Sequence, residues 1–190
     1  MRAASPGQSA LLALDVIDVL DRLRVPYAII GAFAASFYGL VRASLDVDAV
    51  VSLRPSQASV RALIDELSTA SLKTTYRQGD VSDPVGAVLN VEDPFGNRVD
   101  LLLGLQGVTE ATFSRTVEAE FMQARVRLIG VEDFIAMKIF AGSPKDMDDV
   151  AGALKVSYDR IRLPLLKELV AAYGRDAVQK LESLLQAHQP

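Results

Sequence analysis

The chain has 190 residues, a formal net charge of −4, no cysteine and one histidine, His188. Without cysteine there are no disulfides, thiolate metal ligands or cysteine nucleophiles, and one histidine near the C-terminus excludes histidine-based catalysis and histidine-rich metal sites. Half of the residues are hydrophobic, which provides a core and excludes global disorder. The acidic balance excludes a broad basic footprint for duplex nucleic acid.

The N-terminal part of the chain predicts a short tail followed by a helix. Residues 1–8 are small and polar, so we expect a disordered tail without the apolar run of a secretory signal. Apolar residues then recur at helical spacing over 9–24 and stop before Pro26. The longest uncharged stretch, 25–41, is shorter than the roughly 20 residues that span a bilayer. We therefore expect a cytoplasmic protein with no membrane partner.

A strand, a glycine turn and a helix are predicted over residues 27–39. Residues 27–30 form an apolar run, Gly31 breaks it, and small residues including Ala32 continue towards Gly39. A strand–glycine–helix turn directs free backbone N–H groups and the positive end of a helix at an anion. The turn at Gly31 and Ala32 is therefore predicted to bind phosphate.

Two aspartates open the next predicted strand. Asp46 and Asp48 precede the apolar residues 49–51, and residues two apart in a strand point to the same face. Two carboxylates held this close repel each other and lose solvation unless a cation lies between them. Oxygen ligands of this kind suit Mg²⁺ or Mn²⁺. A metal site beside a phosphate-binding turn is what a nucleoside triphosphate (NTP) requires.

The other elements of the first 130 residues follow from periodicity and turn residues. Apolar residues from Val60 to Leu67 recur at helical spacing, which predicts an amphipathic helix. The remaining predictions are a strand over 72–77, a turn-rich loop over 78–84, hairpin strands over 87–91 and 98–103, a helix over 109–118 and a strand over 121–129.

Asp100 lies in the second hairpin strand among apolar residues. A lone carboxylate in such a strand is costly unless it is paired or ligates a cation. If this strand neighbours the strand of Asp46 and Asp48, three carboxylates converge on one site. The alternative is that Asp100 lies at a rim, bonded to Arg98 or Arg42.

The last third of the chain is predicted to be helical. The first helix, over 131–141, is apolar nearly all round except for Lys138, so this charge must reach an anion or the solvent. The next helix has Ser143 as its cap, Pro144 at its first position and Asp146 in a capping-box-like pair. Two further amphipathic helices follow before the C-terminus.

Two segments resemble a known family. The first contains Gly31, Ala32, Gly39, Arg42, Ser44, Asp46 and Asp48 at their observed spacing. It resembles the signature of the minimal nucleotidyltransferases and is most similar to the branch that contains the toxins of type IV toxin–antitoxin systems. The family has a second Gly or Ser where this chain has Ala32. The second segment, 133–150, is similar to the family in having a lysine on an apolar helix and then a Lys-Asp-x-x-Asp stretch.

The resemblance implies an α/β (α+β) nucleotidyltransferase-like fold, with a small mixed sheet flanked by helices over 9–130 and a C-terminal helical subdomain over 131–190 packed on it. It implies that Asp46, Asp48 and Asp100 bind Mg²⁺ or Mn²⁺ and that Lys138 offsets charge on the leaving pyrophosphate. It also implies a set of residues that contact phosphate, namely Gly31, Ala32, Arg42, Ser44 and Lys145. Asp146 and Asp149 would support the site. The alternative for Lys145, Asp146 and Asp149 is a solvated helix face, and Arg42 and Ser44 could equally brace their loop.

The implied function is transfer of a nucleoside monophosphate from an NTP to a hydroxyl group on an RNA such as tRNA, a protein or a small molecule. The chain would act alone or as a toxin with an antitoxin protein as its partner. The alternative is a non-catalytic module on the same fold that binds a nucleotide or a protein partner. The hairpin around residues 92–101 is also similar to that of vicinal-oxygen-chelate enzymes, but those sites need histidine ligands and a repeated βαβββ module.

Overall fold

One mixed seven-stranded sheet forms the centre of the protein. The computed structural model describes residues 1–41, 44–54 and 58–187, so that Arg42 and His188 lie outside the described residues. The strands are β1 (Tyr27–Ile29), β2 (Asp46–Val51), β3 (Lys73–Gln78), β4 (Val85–Glu92), β5 (Arg98–Leu105), β6 (Val117–Phe121) and β7 (Ala124–Leu128). The helices are α1 (Ser9–Arg22), α2 (Gly31–Phe37), α3 (Val60–Thr69), α4 (Glu110–Ser114), α5 (Val131–Ala141), α6 (Pro144–Ser157), α7 (Leu163–Ala171) and α8 (Arg175–Ala187).

The strand order places β2 and β5 side by side in the middle of the sheet. The order is β3-β4-β5-β2-β1-β7-β6. β2 runs parallel to β5 and antiparallel to β1, whereas β3, β4 and β5 form an antiparallel meander. β7 pairs with β1 in parallel and with β6 as a hairpin. The predicted mixed sheet flanked by helices is confirmed.

Two hydrophobic clusters cover the two faces of the sheet. On one face, α1 and α3 pack on the strands through residues such as Leu12 and Leu63, which are fully buried. On the other face, α2 and the C-terminal helices pack on Val50 through residues such as Ala34 and Phe134. Because side chains alternate along a strand, the even-numbered residues of β2 share the face of Val50 and the C-terminal helices. Asp46 and Asp48 therefore point to that face.

The segment between residues 109 and 129 differs from its prediction. The predicted helix over 109–118 is wrong beyond Ser114, because α4 is only five residues long. The single predicted strand over 121–129 is instead the hairpin β6–β7, whose turn residues Met122 and Gln123 both have positive φ angles. Such turns usually carry Asn or Gly, so the sequence contained no turn signal at this point.

The start of α6 forms as its sequence predicts. The Ser143 side chain accepts a hydrogen bond from the Asp146 backbone N–H, and the Asp146 side chain accepts one from the Ser143 backbone N–H. Pro144 occupies the first helical position. This capping box satisfies donors that a helix start would otherwise leave unpaired, and it fixes where Asp146 sits relative to α5.

Residues 1–8 contact α1. Arg2 bonds to Asp15 and Asp18, and Ala3 is buried. The disordered tail predicted here, and the division into a core and a C-terminal subdomain, stay predictions. None of the described helices is both long and apolar enough to cross a membrane.

Candidate active site

Three aspartates meet on neighbouring strands. In the parallel pairing of β2 with β5, Asp48 lies opposite Asp100 and Asp46 lies opposite Arg98. Asp46 and Asp48 are two residues apart on one strand, and Asp100 belongs to the same row as Asp48, so all three share one face of the sheet. The structure therefore brings together the three carboxylates that the sequence singled out. The Asp100 side chain retains 16% of its exposure and that of Asp46 retains 36%.

Asp48 is the carboxylate whose ionisation is most disfavoured. Its pKa is raised from 3.8 to about 6, first by burial and then by the neighbouring Asp46 and Asp100, against the opposing effects of Lys138 and Arg98. An elevated pKa in a carboxylate cluster indicates a shortage of positive charge around it. A divalent cation would supply that charge.

Gly31 makes room for Asp48. Its φ angle is +62°, and a Cβ atom added at this position would lie 2.3 Å from Asp48 Oδ2. No side chain fits between the two, so only glycine is compatible with this contact. The turn that the sequence predicts to bind phosphate is thus directly against the central carboxylate. Ala32 follows as a buried residue of α2.

Arg98 connects two of the three aspartates. Its Nη2 lies 3.4 Å from Asp46 Oδ2, and its Nε lies 3.3 Å from Asp100 Oδ1. The bond between Arg98 and Asp100, one of the alternatives that the sequence allows, is present in the structure. In the described part of the chain, no three acidic or histidine side chains are arranged so that they enclose a metal ion, and the Arg98 guanidinium group contacts two of the three aspartates.

Asn90 and Arg77 continue the network outwards along the sheet. Asn90 Nδ2 donates to Asp100 Oδ1 at 2.7 Å, and Arg77 Nη2 donates to Asn90 Oδ1 at 2.9 Å. Neither residue was predicted from the sequence. Their only signal was a polar residue within each predicted strand, and the partner of such a residue depends on strand register.

The approach to β2 carries a further predicted residue. Ser44 is exposed, and its Oγ donates to Asp46 Oδ1 at 2.8 Å. This bond orients Asp46, which fits the alternative that Ser44 braces its loop. The predicted phosphate contact of Arg42 falls outside the described residues.

Two carboxylates of α6 contact the ammonium group of Lys138. Its Nζ lies 2.6 Å from Asp146 Oδ1 and 2.8 Å from Asp149 Oδ2. The Asp149 side chain is 0% exposed, whereas Lys138 and Asp146 retain 15% and 16%. The anion that Lys138 reaches within the fold is therefore this pair, and its predicted contact with phosphate stays a prediction. Lys145 is exposed on the first turn of α6.

The residues of the cluster fit a magnesium or manganese ion. Asp46, Asp48 and Asp100 supply carboxylate oxygens, which these hard cations prefer. The raised pKa of Asp48 shows that its negative charge is poorly compensated, and a bound cation would relieve this. Arg98 is the one positive group that contacts both Asp46 and Asp100 in the described residues.

Comparisons with known proteins show the family and the fold of the chain. A family described as "Nucleotidyltransferase of unknown function (DUF6036)" matches residues 11–187. The solution structure of the antibiotic-resistance factor ANT(2″)-Ia is similar over 93% of this chain and 96% of that chain, with a TM-score of 0.55 and 16% identity. The crystal structure of ANT(2″)-Ia in complex with adenylyl-2″-tobramycin is similar over 85% and 94%, with a TM-score of 0.56 and 15% identity. These likenesses show the fold. No curated protein matches the chain in sequence.

Proposed function

The chain belongs to this nucleotidyltransferase family, and from this premise we propose that it transfers a nucleoside monophosphate from an NTP to a hydroxyl group in a metal-dependent reaction. The observation that carries the proposal is the meeting of Asp46, Asp48 and Asp100 on one face of two parallel strands, against the turn at Gly31. Three carboxylates are expensive to hold together without a cation, so a purely structural role does not account for them.

The carboxylates would hold Mg²⁺ or Mn²⁺, which when bound neutralises phosphate charge and favours the ionised form of the acceptor hydroxyl. Asp100 orients the acceptor and takes the proton of its hydroxyl group. The hydroxyl oxygen then forms a bond to the α-phosphorus while the bond from that phosphorus to the bridging oxygen of the β-phosphate breaks, and pyrophosphate leaves. Backbone N–H groups after Gly31 hold the phosphates.

The acceptor would bind over the exposed face of β3, β4 and β5. In register across these strands, Thr75 lies opposite Asn90 and Asn90 lies opposite Asp100. Asp100 thus lies at the inner edge of an open polar surface to which Arg77 and Glu92 also belong. An RNA end, a protein hydroxyl and a small molecule are all acceptors of this reaction class. The resemblance to the toxin branch extends the proposal to a toxin that is held inactive by an antitoxin protein.

A second candidate is a binding module on the same fold. It is favoured by the contacts of Lys138, whose ammonium group already has two carboxylate partners at 2.6 and 2.8 Å. A lysine paired in this way stabilises the helices without any nucleotide. Under this alternative the chain binds an NTP, or a protein partner, and transfers nothing.

Nucleotides labelled in different phosphates separate the two candidates. We expect label from [α-³²P]NTP, but none from [γ-³²P]NTP, to enter one of a set of RNA, protein and small-molecule acceptors with Mg²⁺ or Mn²⁺. Asp48→Asn should lower this transfer about 10³-fold, because several kcal/mol of charge stabilisation are lost. The matched control is Asp65→Asn, at an exposed aspartate of α3, which should leave transfer unchanged. Transfer of γ-label, or nucleotide binding without any transfer, would contradict the proposal.

A further inference from the structure

The guanidinium group of Arg98 supplies positive charge to the carboxylate cluster. Arg98 is the first residue of β5 and lies opposite Asp46 in the sheet. One guanidinium group reaches both Asp46 Oδ2 and Asp100 Oδ2 at 3.4 Å through Nη2, and reaches Asp100 Oδ1 at 3.3 Å through Nε. It thereby contacts the outer two of the three carboxylates from the open side of the cluster.

These contacts use oxygen atoms that a divalent ion would need. A metal ion bound between the same carboxylates would carry two positive charges to within a few ångströms of the guanidinium group, and like charges at that distance repel strongly. Arginine cannot lose its charge to relieve the repulsion. The guanidinium group and the metal ion therefore exclude each other from these carboxylates.

We propose that Arg98 is a built-in counter-cation that competes with the metal ion for Asp46 and Asp100 and so sets the affinity of the site for divalent ions. The inference rests on the proposed function, because it requires the carboxylates to bind metal. In the metal-free protein, Arg98 offsets the repulsion among the carboxylates. When metal binds, the side chain turns away.

The surroundings of Arg98 allow this movement. Its side chain keeps 48% of its exposure, and its contacts of 3.3–3.4 Å are longer than the roughly 2.7–2.9 Å of a tight charged hydrogen bond. Its backbone stays in place, because its N–H donates to Ser9 Oγ at 3.1 Å and β5 pairs on both sides. On the side away from Asp46, the exposed Glu92 of β4 lies opposite Arg98 and offers a second carboxylate.

Metal affinity measured on Arg98 variants tests the proposal. Arg98→Met keeps the aliphatic stem and removes the charge, and the dissociation constant for Mn²⁺ can be measured from the electron paramagnetic resonance signal of free Mn²⁺. We expect Arg98→Met to bind Mn²⁺ about 10-fold more tightly than the wild type, since a partly exposed opposing charge is screened by solvent. Arg98→Lys, which keeps the charge on a shorter and more mobile group, should lie between the two.

The matched control is Arg127→Met. Arg127 of β7 is 45% exposed and pairs with Asp21 of α1 at 3.1 Å, so its removal should leave Mn²⁺ affinity unchanged. The metal-free Arg98→Met protein should also melt at a lower temperature than the wild type and gain more from Mn²⁺.

The outcomes separate the inference from the function on which it rests. Equal Mn²⁺ affinity in the wild type, Arg98→Met and Arg98→Lys would overturn the role of Arg98 and leave the metal site intact. Absence of Mn²⁺ binding in the wild type and in both variants would overturn the metal site and the inference together. If Arg98→Met fails to fold, Arg98→Lys decides: affinity no tighter than that of the wild type counts against the proposal.

Discussion

Two charged clusters lie on the same side of the sheet, and they are neutralised to different degrees. Within the described residues, Arg98 contacts Asp46 and Asp100 of the sheet cluster at 3.3–3.4 Å. In the cluster on α5 and α6, Lys138 lies at 2.6 and 2.8 Å from two aspartates.

The pKa values follow this difference in neutralisation. In the first cluster, burial and two neighbouring carboxylates raise the pKa of Asp48 to about 6. In the second, burial favours a higher pKa for Asp146, but hydrogen bonds from Lys138 and Ser143 outweigh it and the net pKa is lowered. Acidic residues in a fold thus indicate a cation site where close positive partners are lacking. In the α5–α6 cluster the ammonium group contacts both carboxylates directly, whereas Asp48 of the sheet cluster keeps a raised pKa.

The largest expected effect on stability comes from removing the lysine of the α5–α6 cluster. Lys138→Met leaves the charge of Asp149, whose side chain is 0% exposed, without its ammonium partner. Breaking a buried ion pair from one side costs about 3–5 kcal/mol. We expect the free energy of unfolding, measured by urea denaturation, to fall by about that amount. Lys155→Met, at an exposed lysine of α6, is the control and should change stability by about 0.5 kcal/mol or less.

The double variant Lys138→Met, Asp149→Leu sharpens this test, because it removes the buried charge of Asp149 together with that of Lys138. It should recover part of the lost stability. If Lys138→Met is as stable as Lys155→Met, the α5–α6 cluster is not the structural element described here, and Lys138 becomes available for phosphate.

The second effect is a dependence of stability on pH that comes from Asp48 in the sheet cluster. In the metal-free protein the pKa of Asp48 is raised from 3.8 to about 6, so the folded state holds its proton more tightly than the unfolded state does. The resulting stability is present below the unfolded pKa and is lost as pH rises through the folded value. We expect the free energy of unfolding to fall by roughly 2 kcal/mol between pH 4 and pH 7.

Chelator-treated protein at a series of pH values provides the measurement. Asp48→Asn should remove this loss and should be more stable than the wild type at pH 7, whereas Asp65→Asn should keep it. A wild-type slope identical to that of Asp48→Asn would show that Asp48 is not held in the environment described here.

The smallest effect concerns the orientation of Asp100. Asn90→Ala removes the hydrogen bond of 2.7 Å that Asn90 Nδ2 donates to Asp100 Oδ1 and leaves the ion pairs of both clusters in place. We expect kcat for nucleotidyl transfer to fall about 10-fold, the equivalent of one lost hydrogen bond, with the KM for NTP unchanged. Thr75→Ala, at the exposed residue opposite Asn90 on β3, should leave kcat unchanged. An equal change in both variants would mean that Asn90 only supports the sheet.

Much of the fold could be predicted from sequence because its signals are local. The apolar run before Gly31, the strand that begins at Asp46 and the capping box at Ser143 each depend on residues a few positions apart. The β6–β7 hairpin could not be predicted in this way. Its turn places Met122 and Gln123 at positive φ angles, so pairing of the strands, rather than turn preference, determines the conformation.

The candidate site was predictable as a set of residues but not as a set of contacts. Asp46, Asp48 and Asp100 stand out as carboxylates in apolar strands, and the parallel register of β2 and β5 places them together. The partners of Asp100 depend on register as well, so Asn90 was missed. The two aspartates that pair with Lys138 lie on the following helix, and only the packing of α6 on α5 shows which of its side chains reach the ammonium group.

On this interpretation, Asp46, Asp48 and Asp100 bind divalent ions for nucleotidyl transfer. The most direct measurement is anomalous diffraction from crystals soaked with Mn²⁺ and a non-hydrolysable NTP analogue. We expect anomalous density among the carboxylates of Asp46, Asp48 and Asp100 and phosphate density beside Gly31. The Arg98 side chain should be turned away from Asp46. Nucleotide and Mn²⁺ bound elsewhere, with Arg98 still in contact with Asp46 and Asp100, would contradict it.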